Sequence, residues 1–127
     1  AAEGALVACC ARSAAIHERA AELASRHGVR TIGVEADVSV AADVARAVTT
    51  AAEALGPIDI LVTNAGGPPP GPFESHSSEA WQRAIALNLE SVVNLTRAVL
   101  PSMKSRRWGR ILNVTSIAVK QPVDGLI

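Results

Sequence analysis

Four short turns along the chain carry the side chains that could take part in chemistry. Each turn follows an apolar segment, and each is either polar or contains glycine. Hydrogen-bonding groups and glycines of this kind can form a crevice with room for a planar ligand if the turns meet at one edge of the fold. The turns are Arg12-Ser13, Asp37-Val38, Asn64-Ala65-Gly66-Gly67 and the single residue Ser116.

The segments between these turns decide whether the turns meet. Short apolar runs predict strands, and the continuous run at residues 5–11 is typical of a parallel strand that is covered on both faces. Apolar residues at helical spacing predict helices between the strands, the first two capped by Ser13 and Ser39. The predicted strands are residues 5–11, 31–35, 58–62 and 110–115, and the predicted helices are residues 13–27, 39–55 and 77–105.

The order of these elements is that of an α/β fold. Strand and helix alternate throughout, which predicts a parallel sheet with right-handed crossovers. The carboxyl ends of parallel strands lie at one edge of such a sheet, and ligands bind at that edge. The four turns are therefore expected to line a single crevice.

The composition excludes several classes of protein. The 127 residues fit one domain, and 12 basic and 12 acidic side chains give a formal net charge of zero, so we expect no nucleic-acid partner. No apolar stretch is long enough for a membrane helix, so we expect no membrane partner and a cytoplasmic location. We expect no bound metal, because the histidines lack metal-ligand spacing; they are His17, His27 and His76.

Several motifs occur together in an order that is typical of one enzyme family. They are Asp37-Val38, Thr63-Asn64-Ala65-Gly66, Asn88-Leu89 within the long helix, and Gly109-Arg110-Ile111 leading through Asn113-Val114-Thr115 to Ser116. In this combination the chain resembles the central part of a short-chain dehydrogenase/reductase over nearly its whole length. The family's usual Asn-Asn-Ala-Gly is replaced here by Thr-Asn-Ala-Gly. The resemblance implies a Rossmann-like, doubly wound parallel sheet.

The resemblance also implies which residues bind a cofactor. Asn64-Ala65-Gly66 would line it, and Asp37 would hydrogen-bond the adenine amino group, with Val38 packing nearby. Arg12, followed by Ser13, stands where an acidic residue would pair with the ribose of NAD; an arginine favours NADP(H) over NAD(H) because it suits the additional phosphate. From the residues alone, Asp37 could equally be a turn residue, and Arg12 could be a solvated surface arginine.

A reaction and two catalytic residues follow from the same resemblance. The implied enzyme is an oxidoreductase of the 3-oxoacyl-reductase type, which transfers a hydride between NADP(H) and a small-molecule carbonyl or secondary alcohol. Ser116 would hydrogen-bond the substrate carbonyl, and Asn88 would support a water-linked proton relay. Asn88 could instead be a buried amide of the helix, satisfied by its neighbours.

Two parts of the family's machinery do not occur among these residues. No glycine-rich phosphate loop is present, and the chain has no tyrosine, so the family's Tyr-x-x-x-Lys pair is also absent. We therefore expect residues 1–127 to be a partial dinucleotide-binding domain, inactive by itself. Its sheet is expected to be incomplete, without the C-terminal strands and without the first strand, which would lie between the strands at residues 5–11 and 58–62.

Other functions remain compatible with the sequence. The protein could be a non-catalytic Rossmann-like pseudoenzyme or a subunit of an assembly, and a methyltransferase-type fold is a weaker alternative that Arg12 argues against. The helix at residues 77–105 is apolar on more than one side. It therefore predicts a second surface, and we expect a homodimer or homotetramer formed through this helix.

Overall fold

The computed structural model describes residues 1–67 and 69–121, and within them strands and helices alternate as expected. Short 3₁₀ turns lie at Phe73–Ser75 and Ile117–Val119. The elements in chain order are β1 (Val7–Ala11), α1 (Ala15–His27), β2 (Thr31–Glu35), α2 (Ala41–Leu55), β3 (Ile60–Thr63), α3 (Ser78–Ile85), a π-helical turn (Ala86–Glu90), α4 (Ser91–Ser105) and β4 (Arg110–Asn113).

The strands form two separate parallel pairs. β1 pairs with β2, with Ala11 opposite Glu35, and β3 pairs with β4, with Thr63 opposite Asn113. In the part of the chain that the structure describes, no strand joins β1 to β3. The α/β class and the incomplete parallel sheet are confirmed, and the break lies where the first strand of the sheet was expected to be missing.

Helices cover both faces of β2. On one face, a Cβ atom at Gly33 would lie 2.6 Å from the carbonyl oxygen of Ile16, so α1 approaches the strand more closely than any other residue type would allow. On the other face, Val34 and Ala36 are buried against Ala47 of α2. The carboxyl end of β2 is therefore held between two helices.

β1, β3 and β4 are less covered than the sequence predicted. Ala8 and Cys10 of β1 are exposed, so the prediction of a strand covered on both faces is wrong for β1. In the second strand pair, α4 packs against β3, but side chains on the other face, Ile60, Val62 and Leu112, are more than half exposed. The physical reason is that α1 and α2 cover β2 more than β1, and among the described residues α4 covers the β3–β4 pair from one face.

The helix boundaries agree with the sequence at their C-termini and differ at two N-termini. Gly28 and Gly56 end α1 and α2 with φ angles of 64° and 95°. The predicted caps Ser13 and Ser39 are wrong, because α1 and α2 begin after Ala14 and Val40, without a side-chain cap. The Ser39 hydroxyl donates to the Asp37 carboxylate and accepts no backbone N–H of α2.

The predicted long helix is confirmed and contains one irregular turn. Ser77 caps it by accepting a hydrogen bond from the N–H of Ala80, and helical structure continues from Ser78 to Ser105. The turn from Ala86 to Glu90 is π-helical, so it holds one more residue than an α-helical turn. No helix of the described residues has the length and apolar character needed to cross a membrane.

Candidate functional site

A pocket of about 380 Å³ opens at the carboxyl ends of β1 and β2. The paired strands end side by side, with Ala11 opposite Glu35, and the turns that follow them form its wall. Two of the predicted cofactor residues, Arg12 and Asp37, are thereby brought together. The lining residues are Arg12, Glu35, Ala36, Asp37, Asp43 and Arg46. Ser13 is exposed beside the pocket and Val38 is half-buried, and neither lines it.

Asp37 presents one bonded and one open carboxylate oxygen. Its Oδ1 accepts hydrogen bonds from the N–H of Ser39 at 2.9 Å and from the Ser39 hydroxyl at 2.7 Å. These bonds, with a smaller contribution from the charge of Arg12, hold the pKa of Asp37 below its ordinary value. Within residues 1–67 and 69–121, no donor reaches Oδ2. Asp37 is therefore an ionised acceptor with one oxygen available to a ligand.

The sequence analysis did not identify Asp43 and Arg46. Oδ2 of Asp43 accepts a hydrogen bond of 2.8 Å from the N–H of Asp37, and Oδ1 accepts one of 2.9 Å from Nη2 of Arg46. The same nitrogen donates to the carbonyl of Glu35 at 2.9 Å. The backbone bond from Asp37 is the main cause that lowers the pKa of Asp43, followed by the bond from Arg46. Their spacing of three residues on a helix next to the Asp37 turn is the signal that could have identified them.

The turn after β3 carries a second group of predicted residues. Asn64 and Gly66 are exposed and Ala65 is half-buried. Immediately before them, the hydroxyl of Thr63 donates to Oδ1 of Asn113 at 2.8 Å, and the N–H of Val114 donates to the Thr63 carbonyl at 2.9 Å. The Asn64 turn and the segment that leads from β4 to Ser116 therefore start side by side.

Ser116 is exposed three residues after the end of β4. Its Oγ accepts a hydrogen bond of 3.1 Å from the N–H of Ala118, which starts the 3₁₀ turn. A serine hydroxyl has one donor hydrogen as well as its acceptor sites. Among the described residues this hydrogen has no acceptor, so Ser116 can donate to a ligand oxygen.

Asn88 lies in the π-helical turn and is exposed, so the alternative of a buried helix amide is excluded. Its Nδ2 donates to the carbonyl of Ala84 at 2.9 Å. The helical periodicity of the sequence does not predict the extra residue in this turn. The structure does not bring Asn88 to the pocket beside Arg12.

Comparisons with known proteins assign the chain to a family. The sequence profile of the short chain dehydrogenases matches residues 1–127. Ketoacyl reductase HetN of a Nostoc species is 35% identical over 121 residues, which cover 95% of this chain and 42% of that protein. The chain thus spans less than half the length of this relative.

Solved structures agree with this assignment in both fold and sequence. L-sorbose reductase from Gluconobacter frateurii, complexed with NADPH and L-sorbose, superposes with a TM-score of 0.92 and 32% identity over 98% of this chain and 48% of that one. A 7α-hydroxysteroid dehydrogenase complexed with NADH gives a TM-score of 0.88 and 29% identity over 96% of this chain and 48% of that one. The family match over the whole sequence and the Rossmann-fold likeness lead to one conclusion. The chain belongs to the short-chain dehydrogenases, a family of oxidoreductases.

Proposed function

We propose that this chain is part of an NADP(H)-dependent oxidoreductase that acts on a carbonyl or secondary alcohol, with 3-oxoacyl compounds as the substrate class. The observation that carries the proposal is that Arg12 and Asp37, from turns 25 residues apart in the sequence, line one pocket at the strand ends. The ketoacyl reductase relative supports the substrate class, since it covers 95% of this chain.

The chemistry of the donor set fits this cofactor. The guanidinium of Arg12 has no hydrogen bond or ion pair with any other described residue, so all its donors are available. Guanidinium groups bind phosphate through paired N–H bonds. The open Oδ2 of Asp37 can accept a hydrogen bond from the adenine amino group. Arg12 and Asp37 would thus hold the phosphate and the base of one adenosine.

The choice of NADP(H) over NAD(H) rests on Arg12. Family membership does not decide it, because one structural neighbour holds NADPH and another holds NADH. An acidic residue at the end of this strand would pair with the free ribose hydroxyls of NAD, and it would repel a phosphate. Arg12 has the opposite effect on both groups: it attracts a phosphate, and it offers no acceptor to the free ribose hydroxyls. Its position beside the paired strand ends therefore supports NADP(H).

Ser116 and Asn88 take the catalytic roles in this proposal. When bound, the nicotinamide of the cofactor supplies or accepts the hydride. The unused hydroxyl hydrogen of Ser116 would hold the substrate oxygen, and Asn88, anchored through its Nδ2 to Ala84, would offer Oδ1 to a water of the proton relay. The chain has no tyrosine, so these residues do not include the phenolic acid typical of the family.

Exposed apolar side chains on the long helix support self-association. Leu89, Val93 and Leu100 are between 40% and 60% exposed on a helix that is otherwise packed against α2 and β3. Contiguous apolar surface of this kind is typical of protein interfaces. We propose that the helix from Ser78 to Ser105 contributes to a homodimer or homotetramer.

Fluorescence titration with NADPH and with NADH tests the proposed function. The protein is expected to bind NADPH more tightly, and Arg12→Ala is expected to raise the Kd for NADPH by about tenfold or more while leaving the Kd for NADH unchanged. Arg19→Ala, an exposed arginine of α1, is the matched control and should change neither value. Equal affinity of the unaltered protein for the two cofactors would contradict the phosphate role of Arg12, and no binding of either would contradict the enzyme proposal.

A further inference from the structure

The turn that carries Asp37 is held on both sides by a single ion pair of α2. Arg46 bonds the carbonyl of Glu35, the last residue of β2, and Asp43 bonds the N–H of Asp37, two residues later. Arg46 and Asp43 are joined to each other at 2.9 Å. The turn Glu35-Ala36-Asp37 and the first part of α2 thus form a closed ring of hydrogen bonds.

The charges around the pocket indicate which of its two arginines would bind an anion. The pocket is lined by two arginines and by three carboxylates, those of Glu35, Asp37 and Asp43. The charge of Arg46 is already matched by Asp43, whereas Arg12 has no ion-pair partner among the described residues. A phosphate group would therefore bind at Arg12 rather than at Arg46. Arg46 acts on the turn and not on an anion.

The ring also fixes the direction in which Asp37 points. Asp43 holds the backbone N–H of Asp37, and Ser39 holds Oδ1, so both the main chain and one carboxylate oxygen are constrained. The remaining oxygen, Oδ2, is therefore held in one orientation on a residue that lines the pocket. Hydrogen bonds that fix an acceptor in this way before a ligand arrives reduce the ordering cost of binding.

We propose that Asp43 and Arg46 are positioning residues for the adenine base: they hold the Asp37 turn so that Asp37 selects a ligand with an exocyclic amino group. The inference rests on the proposed function and deepens it, because it assigns recognition of the base to residues of α2 that do not themselves contact the base. Phosphate selection remains with Arg12. The two selections are thus made by different side chains of one pocket.

The test compares NADPH with its hypoxanthine analogue, in which a carbonyl oxygen replaces the amino group. The unaltered protein is expected to bind NADPH about tenfold more tightly than the analogue, the worth of one hydrogen bond to a charged acceptor. Asp43→Ala and, separately, Arg46→Met are expected to reduce this preference to about twofold or less. The preference for NADPH over NADH should stay unchanged, since Arg12 is intact.

Matched controls come from α1, where Arg19 and Glu22 form an exposed ion pair at the same spacing and the same distance of 2.9 Å. Arg19→Met and Glu22→Ala should leave the preference for adenine at its original value. In an Asp37→Ala background, adding Asp43→Ala should change the preference no further, because its effect passes through Asp37.

The outcomes separate the two proposals. An adenine preference that persists in both α2 variants, or an equal loss of affinity for NADPH and the analogue, overturns the positioning role. An unaltered protein that binds neither NADPH nor NADH overturns the proposed function itself. A loss of adenine preference in the α2 variants, with the α1 controls unchanged, supports the inference.

Discussion

The hydroxyl of Thr63 donates a hydrogen bond of 2.8 Å to Oδ1 of Asn113, directly across the β3–β4 pair. Thr63 is 5% exposed whereas Asn113 is exposed, so the bond is partly buried. One of these residues precedes the Asn64 turn and the other precedes the segment to Ser116. The bond therefore ties together the starting points of two predicted site segments.

Replacing Thr63 by Val should destabilise the protein. The substitution keeps the shape of the side chain and removes the donor, and the expected loss is about 1 kcal/mol in the free energy of unfolding. Thr31→Val is the contrasting variant, because the Thr31 hydroxyl is buried with no hydrogen-bond partner among the described residues, and its removal should cost nothing or stabilise. Denaturant unfolding of both variants measures the difference. Equal losses would show that the bond to Asn113 contributes no stability.

Replacing Gly33 by Ala should separate α1 from β2. The new Cβ would lie 2.6 Å from the Ile16 carbonyl oxygen, which is backbone and has little freedom to move. The expected destabilisation is about 1–3 kcal/mol, as for other overpacked interiors. Gly67→Ala serves as the control, since nothing lies within 4 Å of its added Cβ. An unchanged melting temperature for Gly33→Ala would contradict the close approach of the helix.

In the whole enzyme of which this chain is proposed to be a part, Ser116→Ala should abolish most of the activity without affecting cofactor binding. Loss of a donor to a developing oxyanion typically lowers kcat by about 100- to 1,000-fold. Steady-state kinetics with a 3-oxoacyl substrate and NADPH titration measure the two effects separately. The control is Ser105→Ala, another exposed serine, which bonds only to the Ser102 carbonyl. Full activity in Ser116→Ala would contradict the catalytic role of Ser116.

Stability should fall in acid because of the ring around the Asp37 turn. Folding lowers the pKa values of Asp37 and Asp43, the first mainly through the hydrogen bonds from Ser39 and the second mainly through the bond from the Asp37 N–H. A group whose pKa is lowered by folding stabilises the folded chain fully at pH values above its unfolded pKa. This stabilisation is lost as the pH falls through the folded pKa. The melting temperature should therefore decline below about pH 4, and less steeply in Asp43→Ala. Identical acid profiles for the two proteins would contradict this linkage.

The sequence correctly predicted the features of the fold that depend on residues close together in the chain. Apolar runs located all four strands, and Gly28 and Gly56 ended their helices at the expected positions because each adopts a positive φ angle. The polar turns were found because a buried strand must end before polar residues begin. The pairing of Arg12 with Asp37 in one pocket followed from the parallel order of β1 and β2.

The features that the sequence did not predict depend on which side chains meet in the folded chain. Ser39 was expected to cap α2, but its hydroxyl donates to the carboxylate of Asp37 and accepts no backbone N–H of the helix. Asp43 and Arg46 follow the pattern of an ordinary exposed helix pair, and only the three-dimensional turn shows that their remaining atoms bond Asp37 and Glu35. The spacing of 3.6 does not predict the π-helical turn around Asn88, which holds one additional residue.

Within the described residues the two strand pairs share no ladder hydrogen bond, and α2 and α4 provide the packing between these two halves. Cooperative opening of a protein follows its contiguous units, so in residues 1–127 by themselves the amide hydrogens of β1–β2 and of β3–β4 are expected to exchange with solvent at independent rates. A small molecule lying across both halves would make their exchange rates change together. Deuterium uptake, read peptide by peptide, would thus report whether one ligand connects the two halves.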